Sequence, residues 1–336
     1  MAEAPATIVS DMKISLVGHF AAEPDNRGDL GTKHVGLQIA RRLSQRHHTI
    51  QVNIRDPLAW RQAKAFEPRI VHFILGPSMT GLLAARLFAL YCRGAKTLLS
   101  APNPNLAFLR MGALLRPDLV LIQSHDSERM FRRMGCDTRF LPNGVDVQRF
   151  LPASPARKVD LREKYGIGRD GLVILHVGPI IKRRNVEFLA KVQNSDQRVI
   201  IIGRMPADRR VHQVLINAGC MVLTDCLEHI EEIYALSDCY VFPTPPAHKE
   251  ASIEMPLSVL EAMSCNLPVI TTRFGALPRV FDEGNGLAFV DGEDDLVREL
   301  DNARKCLDGR TREKVLPYAW DTVLSSLEEI YGEIAR

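Results

Sequence analysis

The chain has 336 residues, of which 46% are apolar and 25% charged, and carries a net charge of +3. That length exceeds one ordinary hydrophobic core, and that composition excludes a disordered, collagen-like or membrane-embedded protein. Seven scattered cysteines (Cys92, Cys136, Cys220, Cys226, Cys239, Cys265, Cys306) form no CxxC pair, which predicts buried, reduced thiols rather than a disulfide framework or a zinc site.

The opening residues lack a basic stretch followed by an apolar one, so no secretory signal is expected. Beyond them, short apolar runs without alternation read as strands of a parallel sheet covered on both faces. In the first half they fall at 13–18, 49–54, 69–75, 95–99, 118–122 and 138–141, with helical periods at 34–45 and 79–92. The most apolar long segment, Met79–Tyr91, is interrupted by Arg86 and is too short to span a bilayer. Residues 151–156, rich in Pro, Ala and Ser, read as a domain break. Strands at 172–177, 198–202, 220–223, 239–242, 268–271 and 286–290 follow, alternating with helices such as 185–193, 229–235 and 257–264. Pro317 breaks the helical region ahead of a final amphipathic helix, expected to return to the first domain. Strand–helix alternation repeated over two halves predicts an α/β protein of two Rossmann-like, doubly wound domains. The first is placed at residues 1–150 with 318–336, the second at 157–317.

The chemistry-bearing stretch is Glu254-Met255-Pro256-Leu257-Ser258-Val259-Leu260-Glu261-Ala262-Met263. Pro256 suits a first helical turn. The amides of Leu257, Ser258 and Val259 are then expected to point outward at the positive end of the helix dipole, where a phosphate or diphosphate binds. Glu254 precedes the helix and Glu261 lies one turn beyond Ser258; a carboxylate there accepts two sugar hydroxyls. Taken alone, the same helix also reads as an ordinary amphipathic one with Ser258, Glu261 and Cys265 on its wetter face.

The wider string adds Phe242-Pro243-Thr244 before this helix and Leu267-Pro268-Val269-Ile270-Thr271 after it, then Gly284-Asn285-Gly286. Upstream lie Gly31-Thr32-Lys33-His34-Val35 and Leu141-Pro142-Asn143-Gly144-Val145-Asp146, and the last helix carries Trp320 and Tyr331. In this order the motifs resemble the family 4 (group 1) retaining glycosyltransferases of the GT-B fold, over nearly the whole chain from Lys13. The resemblance implies two Rossmann-like domains facing a cleft, an acceptor site on the first and a donor site on the second. It implies retaining transfer of a sugar from a nucleotide-sugar co-substrate, a UDP- or GDP-sugar, with no further cofactor and no metal. Residue by residue, it implies that Glu261 holds the ribose and Glu254 the hydroxyls of the donor sugar. The amides around Leu257 and Ser258 meet the diphosphate, and Gly31 and Thr32 close over it. Arg184, with Lys182 beside it, neutralises the leaving phosphate.

Charge extends the expectation to the acceptor. Residues 1–150 carry a net +8 and the remainder −5, so the first half is expected to meet an anionic glycan or lipid-linked acceptor. A cytoplasmic protein in peripheral contact with the inner membrane face fits that pattern. No aromatic-plus-basic stripe suggests nucleic acid.

The match departs from the family in three places. Glu254 and Glu261 enclose six residues where the family has seven, which puts Ile253 at the expected position and leaves Glu250 as a substitute. Gly178-Pro179 stands where the family has Gly-Arg, so Lys182, Arg183 and Arg184 are left to supply charge. Ser100 aligns with the family's histidine of the first domain, and His125, after the next strand, is the remaining candidate for a catalytic group. These departures keep open a nucleotide-sugar-binding protein that no longer catalyses, and a sugar-nucleotide epimerase of the same architecture. The run Asp291-Gly292-Glu293-Asp294-Asp295 reads as acidic helix capping, not a metal site.

Overall fold

The computed structural model describes residues 12–18, 30–53, 56–74, 79–92, 94–101, 116–204, 207–225, 227–246, 253–305 and 309–336. The chain divides into two units: Met1–Asn143 with Lys249–Met255 and Asp321–Arg336, and Gly144–His248 with Pro256–Trp320.

In the first unit β1 (Lys13–Gly18), β2 (His48–Asn53), β3 (Ile70–Ile74), β4 (Lys96–Ser100), β5 (Leu119–Ile122) and β6 (Thr138–Phe140) form one parallel sheet in the order β2-β1-β3-β4-β5-β6. Helices α1 (Leu30–Leu43), α2 (Pro57–Phe66), α3 (Met79–Tyr91) and α4 (His125–Arg133) run between the strands. All five side chains of β3 are buried, as a strand covered on both faces requires. On one face Val71, Phe73 and Val120 pack against Ala63 of α2, Phe88 of α3 and Phe131 of α4. Helix starts are chemically marked: Asp56 accepts from the Leu58 amide ahead of α2, and Ser124 accepts from the Ser127 amide ahead of α4.

The second unit holds β7 (Leu172–Val177), β8 (Gln197–Ile202), β9 (Met221–Leu223), β10 (Cys239–Phe242), β11 (Val269–Thr271) and β12 (Leu287–Phe289), again parallel, in the order β9-β8-β7-β10-β11-β12. The direction of winding reverses between β7 and β10, the topological switch point where doubly wound sheets bind ligands. Its helices are α5 (Pro155–Lys164), α6 (Leu189–Val192), α7 (Arg209–Asn217), α8 (Ile230–Leu236), α9 (Leu257–Ser264), α10 (Leu277–Val280), α11 (Glu293–Lys305) and α12 (Thr311–Val315). A short 3-10 turn at Leu316–Tyr318 contains Pro317, and α13 (Trp320–Ala335) follows. From Asp321 onward α13 belongs to the first unit, where Glu328 meets His47 at 3.1 Å.

All twelve expected strands are present, with ends shifted by at most one residue. Three expectations are revised. Helix α1 begins at Leu30, so Gly31 and Thr32 lie in its first turn rather than in a preceding loop; first-turn amides need no intrahelical acceptor, which tolerates both residues. The expected helix 185–193 resolves into a 3-10 turn, Val186–Phe188, and the single-turn α6. The Ser154-Pro155 pair marks a helix start: Ser154 accepts from the Arg157 amide and Pro155 opens α5. Cys92, Cys136, Cys220, Cys239 and Cys265 are free and buried, while Cys226 and Cys306 lie outside the described residues. No described helix is long and apolar enough to cross a membrane.

Candidate functional site

The sharpest cluster of polar groups in the second unit gathers where β7 and β10 end. Pro256 is the N-cap of α9 and offers no side-chain cap. The amide of Val259 turns back to the Pro256 carbonyl at 3.2 Å, so it is not open as the sequence suggested. Among the described residues nothing accepts from the amides of Leu257 and Ser258, and both residues are half-buried. Two donors therefore remain at the positive end of the α9 dipole. The Tyr240 hydroxyl bridges Ser258 Oγ at 2.7 Å and the Val177 carbonyl at 3.2 Å, pinning the start of α9 to the ends of β7 and β10.

One turn along, Glu261 accepts from the Tyr234 hydroxyl at 2.7 Å. Tyr234, on α8, stacks on Tyr240 with ring centroids 6.0 Å apart. Burial pushes the Glu261 carboxyl up to about 7, although the Tyr234 hydrogen bond and the Arg149 charge both favour the carboxylate. The group is poised to ionise when donors reach it.

Arg184 closes the 3-10 turn Lys182–Arg184 that follows β7. A side chain at Gly178 would meet His176 Nε2 at 3.3 Å and Arg184 Nη1 at 3.4 Å, so the guanidinium lies against the end of that strand. Lys182 and Arg183 are exposed, whereas Arg184 is half-buried. His176 was not singled out from the sequence; a histidine inside the otherwise apolar β7 is the signal that could have found it. It is fully buried, its Nδ1 donates to the Val241 carbonyl at 2.9 Å, and its Nε2 has no partner among the described residues. Loss of water, against the Val241 hydrogen bond and with a smaller push from the Arg184 charge, holds its imidazole at about 4, hence neutral at pH 7.

The remaining candidates lie in the first unit. Glu254 is buried at 8% exposure, and its carboxylate accepts from Ser124 Oγ and Ser127 Oγ, both at 2.5 Å, and from the Ser124 amide at 3.1 Å. It thus neutralises the start of α4. Burial raises its pKa while these donors lower it. Beside it, Asn143 Nδ2 donates to the Met255 carbonyl at 2.8 Å and Gln123 Nε2 donates to Asn143 Oδ1 at 2.7 Å. Ser124 and Ser127 escaped the sequence reading because their partner lies about 130 residues away, beyond any local pattern. Ile253 is buried, and Glu250 lies outside the described residues.

His125 is exposed, its ring nitrogen 3.9 Å from Glu128. Ser100, where the family has its histidine, bonds His72 Nε2 at 2.7 Å, and His72 Nδ1 is 2.6 Å from the Tyr331 hydroxyl. His72 is sealed in the core, and loss of water holds it at about 3. Glu293, Asp294 and Asp295 occupy the first turn of α11, and among the described residues no three His, Cys, Asp or Glu side chains converge as metal ligands.

Residues 171–305 match the family model described as glycosyl transferases group 1. The matched segment contains the ends of β7 and β10 and the whole of α9, and so Arg184, Ser258 and Glu261. Similar sequences include the GDP-mannose-dependent monoacylated alpha-(1-6)-phosphatidylinositol monomannoside mannosyltransferase of Corynebacterium glutamicum, 25% identical over 54% of this chain and 51% of that protein. The D-inositol 3-phosphate glycosyltransferase of Geodermatophilus obscurus is 25% identical over 65% of this chain and 53% of that protein. The chain spans about half the length of these curated relatives. Among solved structures, Anabaena HepE in complex with UDP and glucose matches 96% of this chain and 100% of that one, with a TM-score of 0.75 at 16% identity. The fold is the GT-B fold, two parallel six-stranded sheets with flanking helices.

Proposed function

We propose that the chain is a glycosyltransferase that moves a hexose from a nucleotide-sugar donor to an acceptor with retention of anomeric configuration. One observation carries the proposal: two open amides at the start of α9, a carboxylate one turn on and a guanidinium at the end of β7 gather at one switch point. In this reading the diphosphate of a UDP- or GDP-sugar rests on the amides of Leu257 and Ser258. Glu261 accepts the ribose hydroxyls. Arg184, aided by Lys182, receives the negative charge that concentrates on the nucleoside diphosphate as the sugar leaves. The Glu254 carboxylate is already held by Ser124 and Ser127. The acceptor is an anionic glycan or a lipid-linked one, which suits the basic residues 1–150 and resembles the phosphorylated inositol acceptors in the relatives' names.

Thermal-shift titration with uridine, guanosine, adenosine and cytidine diphosphates tests the donor site. UDP or GDP is expected to stabilise the protein, and Glu261→Ala to weaken that ligand at least about tenfold, the equivalent of ~1.4 kcal/mol. No stabilisation by any diphosphate would remove the proposal. Slow release of diphosphate from the cognate donor then separates a transferase from a protein that only binds.

A further inference from the structure

Helix α3 carries a surface at odds with its setting. Only Arg86 among its thirteen residues is charged. Its inner face, Ala85 and Phe88, is buried on the sheet, yet Leu83, Leu87 and Leu90 are 49%, 51% and 59% exposed. Those three positions, spaced i, i+4 and i+7, share one face, with the exposed Arg86 among them. An outward helix face is normally polar, and a contiguous apolar stripe marks an interaction site.

The neighbouring α2 meets the flank of this stripe through Trp60 and Lys64. Trp60 is half-buried and packs edge-on against Phe88 at 5.0 Å and obliquely against Tyr91 at 6.4 Å. Lys64 Nζ sits 4.6 Å over the Tyr91 ring, and Arg61 is exposed. Leucines outermost, tryptophan and tyrosine at their border and long basic side chains alongside are the arrangement that settles in a bilayer interface. The leucines enter the acyl boundary, the aromatic rings sit at headgroup level, and the cations reach phosphates.

We propose that α3, flanked by α2, docks the first unit on an anionic lipid bilayer. Charge favours this occupant over a second copy of the chain. In a two-fold interface on this stripe Arg86 would face its own copy, and like charges would repel. Three half-exposed leucines also offer only on the order of a few hundred Å², well short of the ~800 Å² per partner of a stable protein interface. A bilayer repays the small apolar area with phosphates for Arg61, Lys64 and Arg86, within residues 1–150 that carry a net +8. The docking does not rest on the donor site, and would hold for a chain without transferase activity.

The test is co-sedimentation of the full chain with vesicles of phosphatidylcholine alone and of phosphatidylcholine with phosphatidylglycerol, at low and high salt. Binding to the anionic vesicles is expected to exceed binding to neutral ones at least about tenfold and to weaken with salt. The combined exchange of Leu83→Gln, Leu87→Gln and Leu90→Gln is expected to abolish it while leaving the circular-dichroism melt unchanged, because all three positions face solvent. Trp60 fluorescence should be quenched by brominated acyl chains, with the buried Trp320 left as an unquenched reference. Equal binding by the triple variant, or no preference for anionic vesicles, overturns the proposal. So does a dimer that the triple variant converts to monomer, since the stripe would then be a self-interface.

Discussion

Glu261 shows how a residue proposed to hold a ligand can lower stability. Its carboxyl is raised to about 7 in the folded chain, whereas an unfolded glutamate titrates near its ordinary value of ~4.3. Between those values the folded state binds more protons than the unfolded one, so this group lowers stability as pH rises through the window. Glu261→Gln keeps an acceptor for Tyr234 and removes the desolvated charge. It is expected to raise stability at pH 8 by on the order of 1–2 kcal/mol, after discounting for its partial exposure, measured by urea unfolding. Only the carboxylate accepts two hydroxyls without offering a proton. Affinity for the nucleoside diphosphate should therefore climb by up to about tenfold per pH unit below 7 and level off above it. The Glu261→Gln variant should bind weakly and lose that component of the profile. An unchanged profile in the variant would show that another group titrates. The place of Glu261 one turn beyond Ser258 was legible in the sequence because both lie along one helix. The engagement of Glu254 by Ser124 and Ser127 was not, since it depends on chain segments that only the fold brings together.

At the scale of elements the apolar strands could be read directly, because burial on both faces demands an unbroken apolar run in each. Helix α5 shows where that logic ends. Its residues are mostly polar, and ionic contacts do much to hold it. Arg162, buried at 6% exposure, donates to Asp238 at 2.5 Å, to the Leu236 carbonyl at 3.1 Å and to the Arg169 carbonyl at 3.0 Å. Asp238 also accepts from Lys158 at 2.6 Å and from the Val173 amide at 2.7 Å, which ties α5 to β7. Hydrophobic periodicity carries no trace of such an anchor, so the sequence presented Leu151 to Ala156 as slack linker and left the helix unseen. Removing one member of a buried pair strands the other charge, and Asp238→Ala is expected to cost ~3–5 kcal/mol. Chemical denaturation reads this directly. Removing both charges in an Arg162→Met, Asp238→Ala double variant should cost less than the two single losses combined, a coupling that a merely local role for Asp238 would not produce.

Across the whole molecule, the two units share a device that their strand patterns concealed. Each buries a neutral histidine on a central strand, His72 on β3 and His176 on β7, held at about 3 and about 4. In the sequence both are single polar residues inside apolar runs, legible as interruptions but not as hydrogen-bonded members of the core. Unfolded histidine titrates at ~6.5, so below that pH the unfolded chain takes up protons that the folded chain refuses. The stability associated with neutral burial is fully present above pH 6.5 and is lost as pH falls towards 4, by on the order of 2–3 kcal/mol for each histidine. Glu261 acts in the opposite sense over pH 7 to 4.5, but it is one partly exposed group against two sealed ones. The thermal midpoint is therefore expected to fall between pH 6.5 and 4. His72→Gln and His176→Gln should each lower the midpoint at pH 7.5, because Ser100 and Tyr331, or the Val241 carbonyl, lose a fitted partner. Each variant should also flatten the fall between pH 6.5 and 4, and the double variant should flatten it most. A midpoint whose acid slope is untouched by both exchanges would assign the loss to carboxylates instead.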